Sequence, residues 1–511
     1  MDLCSLIERN AAFAPTKPAI MFEGAALGYA AFNARIERTA QALSAEFGLD
    51  RGDRVAILSQ NRPDYLVLLY ACARLGAILV PLNWRLAIAE QMFILTDAAV
   101  RLLVLEPAFA GILPAVEAQL PATGVIGFDS APARGCEFNR LLAQPRGSGR
   151  IARADLTCPL LIVYTSGTTG RPKGAVLRQE ALLWNGVMSQ HMHGLTSDDH
   201  VLTVLPFFHV GGLNIQTTPA LHHGATVTIH SRFMPDAALA SIARDRPTLT
   251  VLVPATIQAM SDHPDWARTD LSSLRAVSTG STIVPPHLID RLVTRGVPVL
   301  QVYGSTETCP VAIYTRLGGD LARAGSTGLP GLCCEAAVVD DAGHELPPEM
   351  PGEIVVRGPN VFCEYWGNPQ ATREALRDGW YRTGDIGRRD ADGYFWVHDR
   401  KKNLIISGGE NIYPAEVERV LLEHPDVVEC GVIGRPDPKW DEVPVAYVIR
   451  RAGCSIGAEG LKAHVLTQLA RFKVPRDIVF VDDLPRTALG KVQHFMLRQL
   501  AGASPVPGEG S

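Results

Sequence analysis

The chain has 511 residues, more than one hydrophobic core ordinarily organises, so two or more domains are expected. Its residues are 47% hydrophobic and 20% charged, the balance of a globular chain rather than a disordered or fibrous one. The net charge of −5 argues against a nucleic-acid surface. Ten cysteines, with no CxxC pair and no metal-like spacing, point to a reducing compartment, the cytoplasm.

In chain order, the opening "MDLCSLIERNAAFAPTKPAI" lacks a basic start followed by an apolar stretch, so no signal peptide is expected. The helical pattern "ARIERTAQALSAEFG" (34–48) precedes a strand in "DRVAILSQN" (53–61). The most apolar stretch, "YLVLLYACARLGAILVPL" (65–82), is interrupted by Arg74 and punctuated by Gly76 and Pro81. It predicts a buried helix followed by a buried strand, not stable membrane insertion. "HVLTVLPFFHVGG" (200–212), "GATVTIH" (224–230), "PTLTVLVPA" (247–255), "LRAVSTGS" (274–281) and "VPVLQVYGSTE" (297–307) are short strands, each ending in a polar or glycine turn. The fold class is therefore α/β, with ligands expected at the loops that follow the strands. "GEIVVRGPN" (352–360) and "GYFWVHDR" (393–400) look antiparallel.

A second, α+β unit begins near residue 403. "NIYPAEVERVLLEHPDV" (411–427) reads as a helix with Pro414 in its first turn and Tyr413, Val417, Val420 and Leu421 on one face. Strands follow in "VVECGVIG" (427–434) and "VAYVIR" (445–450), then a helix in "LKAHVLTQLARF" (461–472) and a strand in "DIVFVDDL" (477–484). The final residues have the composition of a disordered tail.

The stretch "YTSGTTGRPKG" (164–174) mixes glycines, hydroxyls and a lysine directly after an apolar run. It is not a Walker loop, because Pro172 precedes Lys173 where that motif needs glycine. Its chemistry still suits phosphate. Glycine lets backbone N–H groups approach anionic oxygens, and Thr165, Ser166, Thr168 and Thr169 can donate to them. Four more clusters follow: "YGSTE" (303–307), "YRTGDIG" (381–387), "DRKKNLIISGGENIYPAEVE" (399–418) and "PRTALGK" (485–491).

In this order and spacing the five motifs resemble the adenylate-forming superfamily, which includes acyl- and aryl-CoA synthetases, firefly luciferase and peptide-synthetase adenylation domains. The resemblance implies a large N-terminal AMP-binding domain of helix-flanked sheets with a small barrel-like part, residues 1–401. It also implies a small mobile α+β domain, 402–501, hinged near Lys402, and a tail, 502–511. The implied activity is ATP-dependent carboxylic acid:CoA ligation. An acyl-adenylate and pyrophosphate form first, and a thiol then displaces AMP. Implied cosubstrates are ATP and coenzyme A, with Mg²⁺ as the metal.

By the same resemblance, Thr165, Ser166, Gly167, Thr168, Thr169, Gly170 and Lys173 surround the β- and γ-phosphates, with Thr168 also near the metal. Tyr303 stacks on adenine beside Gly304, with Gly280 and Ser281 near the same site. Thr306 meets the α-phosphate and Glu307 holds Mg²⁺. Asp385 and Arg400 take the ribose. Lys491 is the adenylation lysine. Gly408 and Gly409 let pantetheine pass close to backbone after the small domain rotates. Trp440, Phe472 and Arg476 fall where some relatives hold the CoA nucleotide. His209 flanks the substrate carboxylate.

Gly211, Gly212, Thr279–Ser281 and Val302 are the expected acyl-pocket positions. Arg275 is the only cation in those segments, so a neutral acid is expected: short or medium chain, branched or aromatic. "STGSTI" (278–283) stands where many relatives read "SGGAP", which suggests a shorter or narrower pocket than a long-chain enzyme has. Two rival readings stand beside the ligase. An adenylation enzyme charging a carrier protein is disfavoured because no carrier domain follows Lys491. A catalytically silent nucleotide-binding protein is disfavoured because Glu307, Asp385 and Lys491 are all present. The resemblance allows a homodimer, which no residue pattern decides. It also allows an acetyltransferase and deacetylase acting on Lys491, since acetylation removes the charge.

Overall fold

The computed structural model describes residues 1–133, 135–143, 153–165, 172–280, 284–319, 323, 325–407, 410–486 and 492–503. The chain divides into two compact units. The larger comprises Met1–Ser281, Ile289–Ala336 and Val356–Arg382; the smaller comprises Thr282–Leu288, Ala337–Val355 and Thr383–Ser511.

Two sheets organise the larger unit. One runs, edge to edge, through Glu364–Tyr365, Lys173–Arg178, Pro159–Thr165, Ile78–Pro81, Arg54–Leu58, Leu102–Leu105, Gly124–Gly127 and Cys136–Glu137. The other runs through Leu329–Pro330, Ile313–Tyr314, Val299–Tyr303, Ala276–Gly280, Leu249–Val251, His200–Thr203, Thr226–Ile229, Pro18–Phe22 and Ala25–Gly28. The inner strands of both are parallel. Parallel sheets are covered on both faces, and the strands read accordingly: Ile78–Pro81, Leu102–Leu105 and Ala276–Gly280 are buried at every position. Each short strand expected between residues 200 and 307 is present.

The apolar stretch at 65–82 is the helix Pro63–Leu75, closed by Gly76 in the left-handed region (φ 72°), and the strand Ile78–Pro81. The left-handed C-cap is where glycine is favoured. Among the described residues no helix is long and apolar enough to cross a membrane. Arg74, which interrupts the stretch, is buried and ion-paired with Asp2 (3.2 Å) and Glu37 (2.6 Å). Asp2 itself is 0% exposed, and the Leu3 N–H donates to Gln179 Oε1 at 2.9 Å, so residues 2–5 are part of the interior.

The remaining strands form two further sheets. In one, Gly352–Arg357 neighbours Glu335–Val339 and Trp380–Arg389, and Phe395–Arg400 runs antiparallel to Trp380–Arg389, as "GYFWVHDR" suggested. In the other, Ile405–Ser407, Asp441–Arg450, Val427–Asp437 and Asp477–Phe480 pair around a core of Val417, Val420, Leu421, Val432, Ala446 and Val448. The helix Pro414–Leu422 has Pro414 at its first position, as expected. Tyr413 lies just outside that helix and half-buried, its ring stacked on His398 at 5.6 Å rather than on the core face. The helix expected at 461–472 is Ala458–Leu466. Thr467 ends it by donating its hydroxyl to the His464 carbonyl (2.6 Å), a local bond that competes with helix continuation.

Candidate active site

In the larger unit, Pro159–Thr165 turns back antiparallel as Lys173–Arg178, and the register sets Thr165 opposite Lys173. The loop is therefore strand–loop–strand, whereas a Walker loop runs into a helix. Ser166, Gly167, Thr168, Thr169 and Gly170 lie outside the described residues. Gly174 must be glycine: a Cβ there would stand 2.6 Å from Ile162 Cγ2.

The strand Val299–Tyr303 ends at Gly304 and enters the 3₁₀ turn Thr306–Thr308. A Cβ on Gly304 would lie 1.7 Å from the Pro310 carbonyl oxygen. Asn360 clamps the turn, its Nδ2 donating to the carbonyls of Thr308 (2.9 Å) and Val311 (3.0 Å). Glu307 is 7% exposed. Its carbonyl accepts the Phe362 N–H at 2.7 Å, and its Oε1 accepts the Tyr365 hydroxyl at 2.8 Å. Lys173 Nζ stands 5.4 Å from the centre of the Tyr365 ring. The turn thus brings Tyr303, Gly304, Thr306 and Glu307 together, and Tyr365 links Glu307 to Lys173.

Gly280 closes the neighbouring parallel strand opposite Val302, and a Cβ there would meet the Val302 carbonyl oxygen at 2.2 Å. Ser281 lies outside the described residues, as does Thr282. His209 caps the short helix Val210–Asn214, with the Phe208 ring 4.5 Å from its own. Burial, helped by the nearby Arg85 charge, lowers the His209 pKa to about 4, and its buried Nε2 has no hydrogen-bond partner among the described residues. At neutral pH the ring is an uncharged imidazole. Arg275 pairs with Asp199 at 2.5 Å and donates to the carbonyls of His193 and Gly194, so its charge is taken up by the fold.

In the smaller unit, Asp385 and Arg400 face each other across the antiparallel strands, with Arg400 Nε 2.6 Å from Asp385 Oδ1. Gly384 has φ 71°, a left-handed position that suits glycine, and its N–H donates to Glu353 Oε1 at 3.1 Å. The Thr383 hydroxyl donates to the Ile354 carbonyl (2.6 Å) and accepts the Asp385 N–H (3.1 Å). Asp385 is thereby fixed at a turn with its carboxylate partly engaged. Lys402 lies in the 3₁₀ turn Lys401–Asn403, and its carbonyl accepts from Arg498 at 3.2 Å.

Gly408, Gly409 and Lys491 lie outside the described residues. Around the last, Arg486 pairs with Val492 in an isolated bridge, and His494 Nε2 stands 2.6 Å from Glu418 Oε1. Trp440 and Phe472 are surface aromatics, each 41% exposed, with Lys439 and Lys473 ammonium groups near their respective rings. Neither is a core residue. Arg476 donates its N–H to the Pro444 carbonyl at 2.7 Å.

The sequence reading missed Tyr365, Asn360 and Arg85. Tyr365 acts 58 positions away from Glu307, a separation no local motif encodes. Arg85, its guanidinium 4.7 Å from the Trp84 ring, sits outside the strand-end segments where pocket residues were sought.

Glu307 also suits a divalent cation. It is a buried carboxylate with one oxygen held by a phenol, and among the described residues no group of three or more His, Cys, Asp or Glu could hold a metal unaided. A lone carboxylate supplemented by phosphate oxygens is a common Mg²⁺ environment.

Parallel-centred α/β sheets and a strand-end turn whose buried carboxylate is linked through Tyr365 to Lys173 define the fold and candidate site of an α/β enzyme. The chain belongs to the adenylate-forming AMP-binding enzymes: the AMP-binding enzyme family matches residues 7–366, and its C-terminal domain matches residues 416–491. It is 48% identical over 98% of both chains to an indoleacetate–CoA ligase of Aromatoleum aromaticum. It is 41% identical to a feruloyl-CoA synthase of Amycolatopsis sp., over 97% of this chain and 98% of the relative. The o-succinylbenzoate CoA synthetase of Bacillus subtilis, solved with its acyl-adenylate intermediate, superposes with a TM-score of 0.87 at 32% identity, over 96% of this chain and 97% of that one. The same enzyme solved with ATP and magnesium ion also gives 0.87, at 32% identity over 98% and 99%.

The protein is an AMP-forming acid–thiol ligase. ATP and a carboxylic acid give an acyl-adenylate and pyrophosphate, and CoA then displaces AMP to form the thioester.

Proposed function

We propose that the acid is neutral and aromatic, of arylacetate or hydroxycinnamate size. The observation that carries this reading is His209, uncharged and with its Nε2 unpartnered, beside the Phe208 ring. Trp84 stands edge-on to Phe208 at 6.1 Å and stacks on Phe109 at 6.0 Å, so a chain of flat apolar groups leads away from the imidazole through Phe208. Asp199 engages Arg275, so that cation is not available to a second substrate carboxylate. The indoleacetate and ferulate named for two relatives are neutral aromatic acids apart from the reacting carboxylate.

In this reading one carboxylate oxygen attacks the α-phosphorus while the bond to the β-phosphate oxygen breaks and pyrophosphate leaves. His209 orients the carboxylate as a neutral hydrogen-bonding group. Thr306 and Lys491 stabilise charge growing on the α-phosphate oxygens. Glu307 would hold Mg²⁺, which neutralises phosphate charge, with Thr168 nearby. Residues 165–170 and Lys173 hold the terminal phosphates, Tyr303 and Gly304 the adenine with Gly280 and Ser281, and Asp385 with Arg400 the ribose. In the second step the CoA thiolate attacks the acyl carbon, and the bond to the AMP oxygen breaks.

For that step residues 402–501 rotate about Lys402 relative to residues 1–401. The rotation withdraws Lys491 and presents Gly408, Gly409, Trp440 and Phe472 to CoA. Exposure of both aromatic rings supports a role in nucleotide stacking. We further propose a cytoplasmic location, supported by ten cysteines that are all free thiols, a homodimer, and control by acetylation of Lys491. The test is AMP release across acids from acetate to palmitate, with arylacetates and hydroxycinnamates, with and without CoA. CoA-dependent turnover centred on aromatic acids is expected; a higher kcat/KM for palmitate than for any aromatic acid overturns the substrate reading.

A further inference from the structure

We propose that Tyr365 is a positioning residue for the metal-binding carboxylate, coupling Glu307 to the phosphate-loop lysine. The inference rests on the reading of Glu307 as the residue that holds Mg²⁺. Its basis is the way one short segment grips that glutamate at both ends. Glu364–Tyr365 adds to the edge of the sheet against Lys173–Arg178, with Tyr365 opposite Ala175 and the Trp366 N–H donating to the Gly174 carbonyl at 2.7 Å. This pairing places the Tyr365 ring beside Lys173, whose ammonium lies 5.4 Å from the ring centre. Three residues earlier, the Phe362 N–H takes the Glu307 carbonyl at 2.7 Å, while the Tyr365 hydroxyl takes Glu307 Oε1 at 2.8 Å. The backbone and the carboxylate of Glu307 are thus fixed by the same four-residue stretch.

The ring is itself held. Phe362 lies 4.7 Å from it, and Tyr381 packs edge-on against Phe362 at 5.4 Å. Both Glu307 and Tyr365 are buried. A buried carboxylate with one oxygen tied to a rigid donor has its plane set, so the other oxygen is presented in a fixed direction. Hydrogen-bonding partners behind a metal ligand commonly tune affinity this way. The ring face also attracts the ammonium of Lys173 by its quadrupole. One side chain therefore holds an acid and a base of the same polyphosphate site in register, and keeps each from drifting when the site is empty.

Tyr365→Phe keeps the ring over Lys173 and removes only the hydroxyl. Calorimetric titration should show MgATP binding weakened on the order of 10- to 100-fold, the usual effect of losing such a partner. Metal-free ATP should bind as to the unaltered protein. In a Glu307→Gln background the same substitution should add nothing to the loss. Thioester formation from preformed acyl-adenylate, which needs no polyphosphate, serves as the check that the variant is folded. Unchanged MgATP binding by Y365F overturns the proposal, as does equal weakening for ATP with and without Mg²⁺. An undiminished effect of Y365F in the E307Q background also overturns it. If E307Q alone leaves MgATP binding intact, the assignment of Glu307 fails instead, and the two failures are told apart.

Discussion

Replacing His222 by phenylalanine should make the protein more resistant to acid while leaving it little changed at alkaline pH. His222 ends the helix Thr217–His222 with its ring in the interior, and among the described residues neither ring nitrogen has a hydrogen-bond partner. The Tyr70 ring stands edge-on to it at 6.0 Å, a contact phenylalanine can keep. Burial, with the adjacent His223 charge, pushes the His222 pKa down to about 3. In the unfolded chain the same group titrates near pH 6.5. Above that pH both states are neutral and the group contributes nothing. As pH falls below it, the unfolded chain takes up a proton that the folded protein refuses, so stability is lost until the folded pKa is reached. Between about pH 8 and about pH 5.5 the loss is RT ln 11, about 1.4 kcal/mol for this one residue. His222→Phe deletes that term. Urea titrations at the two pH values, followed by tryptophan fluorescence, should show the stability difference between variant and parent shift by this amount in favour of the variant. A difference that does not move with pH refutes the reasoning that links its burial to acid lability. His193, lowered to about 4 and bridged to Ser278 at 2.6 Å, remains in both proteins and leaves the comparison unaffected.

Lys491→Ala should reduce adenylation, read by pyrophosphate exchange, by about 10²- to 10³-fold, while thioester formation from preformed adenylate falls much less. Asp385→Asn weakens the charge-assisted contact with Arg400; if the proposed ribose role holds, ATP affinity should drop on the order of tenfold or more, measured by calorimetry. Gly304→Ala forces a Cβ into the Pro310 carbonyl, 1.7 Å away. It should displace the Thr306–Thr308 turn and abolish adenylation, with a lowered Tm as the second readout.

Much of the fold was legible because parallel strands buried on both faces are continuous apolar runs. Ile78–Pro81 announces itself as such a run, whereas Val299–Tyr303, interrupted by Gln301, was legible from the glycine turn that follows it. Glu307, Asp385 and Arg400 were legible because each sits in a local motif whose glycine is needed for backbone shape, as at Gly304 and Gly384. The partners of those residues were not. Tyr365 meets Glu307 only because an edge strand from a distant segment adds to the sheet, and Asn360 clamps the same turn by long-range bonds. Trp440 illustrates the opposite limit. A tryptophan's hydrophobicity suggests the core as readily as the surface, and the tight turn between Val427–Asp437 and Asp441–Arg450 decides it.

The embedding of residues 2–5 has a consequence for the order of events during synthesis. Asp2 is made before its counter-ion Arg74, which follows 72 positions later. The acceptor of the Leu3 N–H, Gln179, comes 176 positions later. Until then the growing chain carries a solvated acid and apolar side chains with nowhere to go, and closing so long a loop is slow. The larger unit therefore completes itself late, by stitching residues 2–5 onto a helix made long after them. A short deletion at residues 2–5 should be felt by the whole unit rather than locally.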